Sequence, residues 1–189
     1  MLQRLLLALI FIGAALGAAS GGAPAWAQAP SDLWRDAMAR LQPLAGAYVV
    51  TGERFDGEKW SEEPENRSEA EYILDGAALR DETGIRLGGV DGLLMTTFGW
   101  DAGREMYRAA VIDSIYGFPD IYEGGFDSAG RLVLDNLRTD TAFITPNSHT
   151  NFRLTFEFSE SGHGLTIDVT GDGGDTWSPG WRYDYRRSE

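Results

Sequence analysis

The stretch Phe152-Arg153-Leu154-Thr155-Phe156-Glu157-Phe158 decides the fold class, because apolar and polar side chains alternate along it without a break. Successive side chains of a β-strand point to opposite faces, so the aromatic and Leu side chains share one face and the polar ones share the other. The same alternation recurs in Leu165–Thr170 and in Trp181–Arg186. These segments therefore predict strands with one buried and one solvated face.

From Gly46 onward, short apolar alternations are separated by Gly, Asp, Asn and Pro, a pattern typical of antiparallel strands joined by hairpins. Closing such a meander into a barrel removes its exposed edges. We predict an all-β fold: a single antiparallel, up-and-down β-barrel of about ten strands with a short N-terminal helix. The most polar stretch, Trp60–Arg67, is predicted to be a solvated loop. The predicted strands are Ala47–Phe55, Glu69–Leu74, Ala78–Leu87, Leu93–Trp100, Glu105–Ile112, Asp120–Phe126, Arg131–Leu137, Asn151–Ser159, Leu165–Thr170 and Trp177–Arg186.

The region before the barrel has two predicted parts. Residues 1–27 have Arg4 near the start, an apolar run, and the small-x-small pattern Ala25-Trp26-Ala27, all typical of a cleaved secretory signal peptide. Residues 28–45 contain apolar side chains at helical spacing, which predict a short helix from about Ser31 to Gln42-Pro43. Residues 46–189 are the barrel domain. An uncleaved anchor is disfavoured because the apolar run is shorter than the roughly 20 residues that a spanning helix needs.

The amino-acid composition limits the classes of partner. The 189 residues include 16 Lys and Arg against 29 Asp and Glu, which gives a net charge of −13. This acidity argues against nonspecific binding of nucleic acid or anionic lipid. With no Cys and two His, the chain lacks the ligands of thiolate zinc sites and multi-histidine metal centres. We expect no cofactor, no stable membrane span after cleavage, and a periplasmic or secreted bacterial protein.

Two short motifs resemble a known family. The segment Phe98–Arg108 contains a Gly-aromatic-Asp hairpin, and Leu44–Tyr48 has a Leu-x-Gly-x-aromatic pattern at the first strand. Both resemble the bacterial domain-of-unknown-function family 1579, whose members have a lipocalin-like, calycin-type barrel. The resemblance extends from about Leu41 to Arg187, with Tyr48 in place of a Trp and Trp100 in place of a Tyr. It implies the fold and brings no established activity.

Aromatic side chains are the main candidates for a ligand site. The loop Asp113–Glu123 combines aromatic and acidic residues, and two interpretations stay open: a ligand entrance, or a plug of aromatic rings over the barrel end. We predict that a small hydrophobic ligand binds inside the barrel, the alternative being a completely packed, ligand-free envelope accessory protein. The predicted ligand-binding residues are Trp100, Tyr107, Tyr116, Phe118, Tyr122, Phe156, Trp181 and Tyr183.

An enzyme is the second hypothesis. A barrel isomerase, cyclase or lyase would use a buried carboxylate such as Asp113 as base, with Tyr107 or Tyr116 as proton donor. The sequence favours a binding protein over this enzyme, because no further motif supports catalysis.

Metal and haem ligation have weak candidates. Asp172 and Asp175 lie in a Gly-rich segment that suggests calcium, but the remaining calcium-loop ligands are missing and a hairpin turn is favoured. His149 and His163 are candidate axial haem ligands, although positions in turns are favoured for both.

Overall fold

The structure is a computed structural model that describes residues 33–87, 89–146 and 148–188. The predicted signal peptide lies outside these residues. Within the described ranges, no helix is both long and apolar enough to cross a bilayer. The strands of the described chain are β1 (Gly46–Phe55), β2 (Trp60–Ile73), β3 (Ala78–Leu87), β4 (Val90–Asp101), β5 (Met106–Asp113), β6 (Pro119–Phe126), β7 (Leu132–Asp135), β8 (Phe143–Thr145), β9 (Ser148–Ser159), β10 (Gly162–Thr170) and β11 (Ser178–Arg187).

Ten of the strands that the structure describes form a closed antiparallel barrel. Each strand from β1 to β6 pairs with the next, β7 pairs with β9, β10 pairs with β11, and β11 returns to β1. The pairing of β9 with β10 completes the ring. The remaining strand, β8, pairs with the start of β9 and with no other strand in the described part of the chain, and it was not predicted. The prediction of an all-β, up-and-down barrel of about ten strands is confirmed.

The segment before β1 closes one end of the barrel. It contains the short helix α1 (Arg35–Ala39) and a 3-10 turn at Gln42–Leu44. The helix ends earlier than predicted, because the chain tightens into this turn around Pro43, which has no N–H to continue a helical ladder. Met38, Leu41 and Leu44 are buried against the barrel core. This end is called the closed end below.

Tyrosine hydroxyls fix the closed end. The Ala37 and Met38 carbonyls at the end of α1 accept backbone N–H groups at 3.2 and 3.0 Å, which leaves each oxygen a lone pair for a second donor. Three inward-facing tyrosines from β1, β2 and β5 supply the donors. Tyr48 donates to the Pro43 oxygen, Tyr72 to the Met38 oxygen and Tyr107 to the Ala37 oxygen, each at 2.7 Å.

The prediction of a solvated loop at Trp60–Arg67 is wrong, because these residues form the first half of β2. They pair with β1 across an irregularity between Val50 and Gly52, opposite Pro64. Among the described residues, β2 pairs with β3 only over Ser68–Ile73. A proline is tolerated because this half of the strand has a neighbour on one side alone. We call the unpaired junction between Trp60–Arg67 and Gly84–Leu87 the seam.

Candidate ligand-binding cavity

The barrel encloses a cavity of about 380 Å³. Its walls are inward-facing side chains from strands on all sides, so the many aromatic residues do not fill the interior completely. The cavity begins above the closed end and opens between the loops at the other end, which we call the mouth. The apolar part of its wall includes Val50, Phe98, Leu154, Phe156, Leu165 and Ile167.

Six of the eight predicted ligand-binding residues line this cavity, and two do not. Trp100 and Tyr107 lie at the closed end, where their rings are in edge contact at 4.9 Å and the Tyr107 hydroxyl is bonded to α1. Tyr107 is buried there, and Trp100 is partly buried against the same core. The predicted residues that line the cavity are Tyr116, Phe118, Tyr122, Phe156, Trp181 and Tyr183.

The Tyr183 ring reaches the cavity because a glycine faces it. Gly52 lies opposite Tyr183 in the pairing of β1 with β11. A Cβ at Gly52 would collide with the Tyr183 ring, so only glycine allows this ring to lie across β1. Burial raises the pKa of Tyr183 to about 12, and its hydroxyl is therefore a neutral hydrogen-bonding group at physiological pH.

Exposed aromatic side chains surround the mouth. Tyr116 and Phe118 follow β5, and the Tyr116 ring lies 6.0 Å from the Phe143 ring of β8. All three residues are exposed and also line the cavity. Exposed rings that also line the cavity fit an apolar rim around an opening. In the alternative interpretation, a plug over the barrel end, these rings would be buried.

A half-buried carboxylate lies in the polar part of the cavity wall. Asp81 of β3 accepts hydrogen bonds from the Ser68 hydroxyl at 2.5 Å and the Thr83 hydroxyl at 3.0 Å. The side chain of Tyr185 of β11 is directed to the same part of the wall and lies near Thr83. Burial raises the pKa of Asp81 despite the two hydroxyl donors. We call Ser68, Asp81, Thr83, Tyr185 and His163 the polar cluster.

His163 belongs to the polar cluster and is only 5 % exposed. It lies in β10, so the prediction of a turn position is wrong for this residue. Its ring stacks on Tyr185 at 4.3 Å and meets the edge of Tyr48 at 5.0 Å. Burial lowers its pKa to about 4, so the ring is neutral at pH 7. Its Nδ1 atom is buried and has no hydrogen-bond partner among the described residues.

His149 is also in a strand, which corrects the second histidine prediction. It lies at the start of β9, paired with Ile144 of β8, and its side chain is exposed. The backbone therefore extends the predicted strand by three residues. The two histidines are in different surroundings, and only His163 lines the cavity.

The predicted catalytic groups are not brought together. The Asp113 carboxylate lines the cavity near the mouth, where it accepts the backbone N–H groups of Ile115 and Tyr116 at 2.8 and 2.6 Å. Tyr107 is six positions away on the same strand, or roughly 20 Å at the usual rise per residue. Tyr116 contributes its backbone to Asp113 and exposes its ring. Asp113 thus caps a turn, and the structure does not bring it together with Tyr107.

A second interior carboxylate is fully engaged within the protein. Asp120 accepts two hydrogen bonds from the Asn136 side-chain amide at 3.1 Å and one from the Thr141 hydroxyl at 2.5 Å. Burial, together with the nearby Asp120 carboxylate, raises the pKa of Tyr122 well above its usual value. The hydrogen bonds to Asp120 attach the connection between β7 and β8 to β6.

The acidic turn after β10 is closed by its own hydrogen bonds. Asp172 accepts the Thr170 hydroxyl at 2.6 Å, the Thr176 hydroxyl at 2.5 Å and the Thr176 N–H at 3.0 Å. These donors lower the pKa of Asp172. Within the described residues, no group of three or more His, Asp or Glu side chains is arranged to hold a metal ion, and Asp175 adds no ligand to Asp172.

Sequence reasoning missed the polar cluster, although one signal was present. Asp81 stands two residues after Leu79 and two before Thr83, and both neighbours are buried. A carboxylate in phase with the buried side of a strand marks a polar group inside the barrel. His163, another member of the polar cluster, carried no comparable signal, because the glycines on both sides of it favoured a turn.

Comparison with known proteins supports the fold. No family model matches the chain, and no curated protein sequence matches it. The structure is similar to the crystal structure of Rv2717c from M. tuberculosis, with a TM-score of 0.55 over 79 % of this chain and 98 % of that chain. The likeness is one of fold. At 13 % sequence identity it carries no function from one protein to the other, and the resemblance to family 1579 stays a prediction.

Proposed function

We propose that this protein binds a small, largely apolar molecule inside its barrel. The cavity of about 380 Å³ is the observation that supports the proposal. Its volume lies within the usual range for small-molecule sites, and its wall combines an apolar majority with a few polar groups, as such sites do. The exposed rim of Tyr116, Phe118 and Phe143 offers an apolar path from solvent to the interior.

The proposed location of this function rests on the prediction, from the sequence, that the protein is exported. With the signal-peptide pattern in residues 1–27, the binding protein would act in the periplasm or outside the cell. The resemblance to family 1579 is part of the same proposal, since a lipocalin-like barrel is a common enclosure for one small ligand.

A neutral fluorescent probe tests the proposal. The dye N-phenyl-1-naphthylamine brightens when it leaves water, and the native protein should bind it saturably at one site. Val111→Trp places a large side chain in the cavity wall and should abolish binding. Ala110→Trp adds the same ring one residue away on the exposed side of β5 and should leave binding intact. Absence of saturable binding to the native protein, or equal binding by both variants, would contradict the proposal.

A further inference from the structure

The charges that line the cavity are strongly unbalanced. Four acidic residues contribute to its wall, and Arg86 is the one Lys or Arg side chain among the described lining residues. Arg86 is paired with Asp91 outside the cavity, at 3.5 Å. The acidic lining residues are Glu63, Asp81, Asp113 and Asp120.

Three of these carboxylates already have partners suited to their positions. Glu63 is near the seam and forms an ion pair with Arg54 at 3.5 Å. Asp113 caps a turn through backbone N–H groups, and Asp120 is held by amide and hydroxyl donors. Each therefore has a role within the protein that accounts for its place.

Asp81 differs from the other three. Its two hydroxyl donors satisfy part of the carboxylate, but no ion pair joins it to a basic side chain among the described residues. His163, on the far side of Tyr185, is neutral at pH 7 and supplies no positive charge. A charge that is largely withdrawn from water, as in this half-buried position, is normally paired, because an isolated one is costly to desolvate.

We infer that the ligand is an apolar molecule with a protonated amine at one end, and that the Asp81 carboxylate receives this ammonium group. The inference rests on the proposed function, because it names the chemical class of the molecule held in the cavity. The ammonium group would supply the missing positive charge, and its N–H groups would donate to carboxylate lone pairs that Ser68 and Thr83 leave available. The apolar body would then lie against Phe98, Leu154 and Phe156.

The orphaned Nδ1 atom of His163 is an independent sign that the same end of the cavity takes a polar group. This atom is buried, lacks a hydrogen bond among the described residues, and belongs to a ring that lines the cavity. A buried polar atom without a partner is destabilising unless something else bonds to it. An anionic ligand is disfavoured at this end, because it would face Asp81, whereas the nearby Arg187 lies over the Tyr48 ring at 5.4 Å, is exposed and is not among the residues that line the cavity.

Three probes with one apolar cage separate charge from shape. They are 1-aminoadamantane, 1-adamantanol and adamantane-1-carboxylate, which at pH 7 are positive, neutral and negative. Their affinities are measured by calorimetry and by displacement of the neutral dye from the native protein. We expect the amine to bind at least about tenfold more tightly than the alcohol, as hydrogen bonds between charged groups would give, and the carboxylate to bind most weakly.

Two variants test whether Asp81 causes the preference. Asp81→Asn keeps the shape of the side chain and should bring the amine to within about twofold of the alcohol while the dye still binds. Glu82→Gln removes the same charge from the adjacent, exposed position on β3 and should keep the native ranking.

The outcomes distinguish this inference from the function on which it rests. If the dye and all three probes bind and the carboxylate equals or exceeds the amine, the amine inference is wrong and a binding cavity remains. An amine preference that survives Asp81→Asn would also overturn it. If neither the dye nor any probe binds, the proposed function itself fails. The ranking in the native protein decides the inference even if Asp81→Asn does not fold.

Discussion

At the closed end of the barrel Tyr107 is 2 % exposed and donates to a helix carbonyl, whereas at the mouth Tyr116 is 63 % exposed. Both residues are tyrosines of one strand-loop unit, and sequence reasoning treated them alike. At the closed end, aromatic rings and hydroxyls bury and bond the N-terminal segment. At the mouth, aromatic rings surround an opening. The difference teaches that one end of this barrel provides stability and the other provides access.

The largest effect should come from emptying the closed end. Leu41→Ala removes a side chain that is 0 % exposed and should lower the free energy of unfolding by about 2–5 kcal/mol, from lost burial and the remaining cavity. Urea unfolding followed by circular dichroism measures this change. Leu33→Ala, in the same segment but 46 % exposed, should change stability far less. A loss for Leu41→Ala as small as that for Leu33→Ala would show that burial of this segment contributes little to the stability of the barrel.

His163 of the polar cluster should make the stability of the protein depend on pH. Its pKa is 6.5 in the unfolded chain and about 4 in the folded protein, so the unfolded chain takes up the proton first as the pH falls. Stability should therefore be lost from about pH 6.5 down to about pH 4, with roughly 2–3 kcal/mol gone at pH 4.5. His163→Phe keeps a flat ring against Tyr185 and should remove this part of the pH dependence.

Unfolding of both proteins at pH 7.5 and pH 4.5 isolates the histidine contribution. Asp81 has a raised pKa, so its own contribution runs the other way and favours the folded state on acidification. It is present in both proteins and cancels in the comparison. If His163→Phe loses as much stability as the native protein between the two pH values, the buried neutral histidine is not the cause.

The smallest expected change in stability comes from removing the hydroxyl of each of the two tyrosines. Tyr107→Phe removes the hydroxyl that donates to the Ala37 carbonyl oxygen, which keeps only the Arg40 N–H at 3.2 Å, and should cost about 0.5–1.5 kcal/mol of unfolding free energy. Tyr116→Phe removes a hydroxyl from an exposed ring and should change stability by less than about 0.5 kcal/mol. Thermal melting of both variants checks the contrast, which would disappear if the Tyr107 bond were readily replaced by water.

The strand pattern could be predicted because it is local. In Phe152–Phe158 the alternation of side chains shows which residues face inward, whatever the rest of the chain does. The alternation does not reveal, however, how far along the barrel axis an inward-facing residue lies. Trp100 was therefore predicted to bind the ligand, although it packs at the closed end. That end exists only because α1 and the 3-10 turn dock there, a contact distant in sequence.

Other errors arose because the local residue composition favoured one structure and contacts with distant strands favoured another. Trp60–Arg67 has a proline and several acids, which favour a loop, but pairing with β1 over its length makes it a strand. The polar cluster was missed because its members come from β2, β3, β10 and β11, which meet only when the barrel closes. Asp81 alone could have been recognised, from its phase with Leu79 and Thr83.

The seam has a consequence for self-association. Where β2 and β3 part, each presents a strand edge that another chain could extend, and such edges promote aggregation. Pro64 has no N–H to offer an incoming strand, and Glu62, Glu65 and Arg67 place exposed charges along the same edge. The polar composition of this strand thus disfavours use of the seam as a template, so that a closed barrel can leave one strand junction partly unpaired without polymerising.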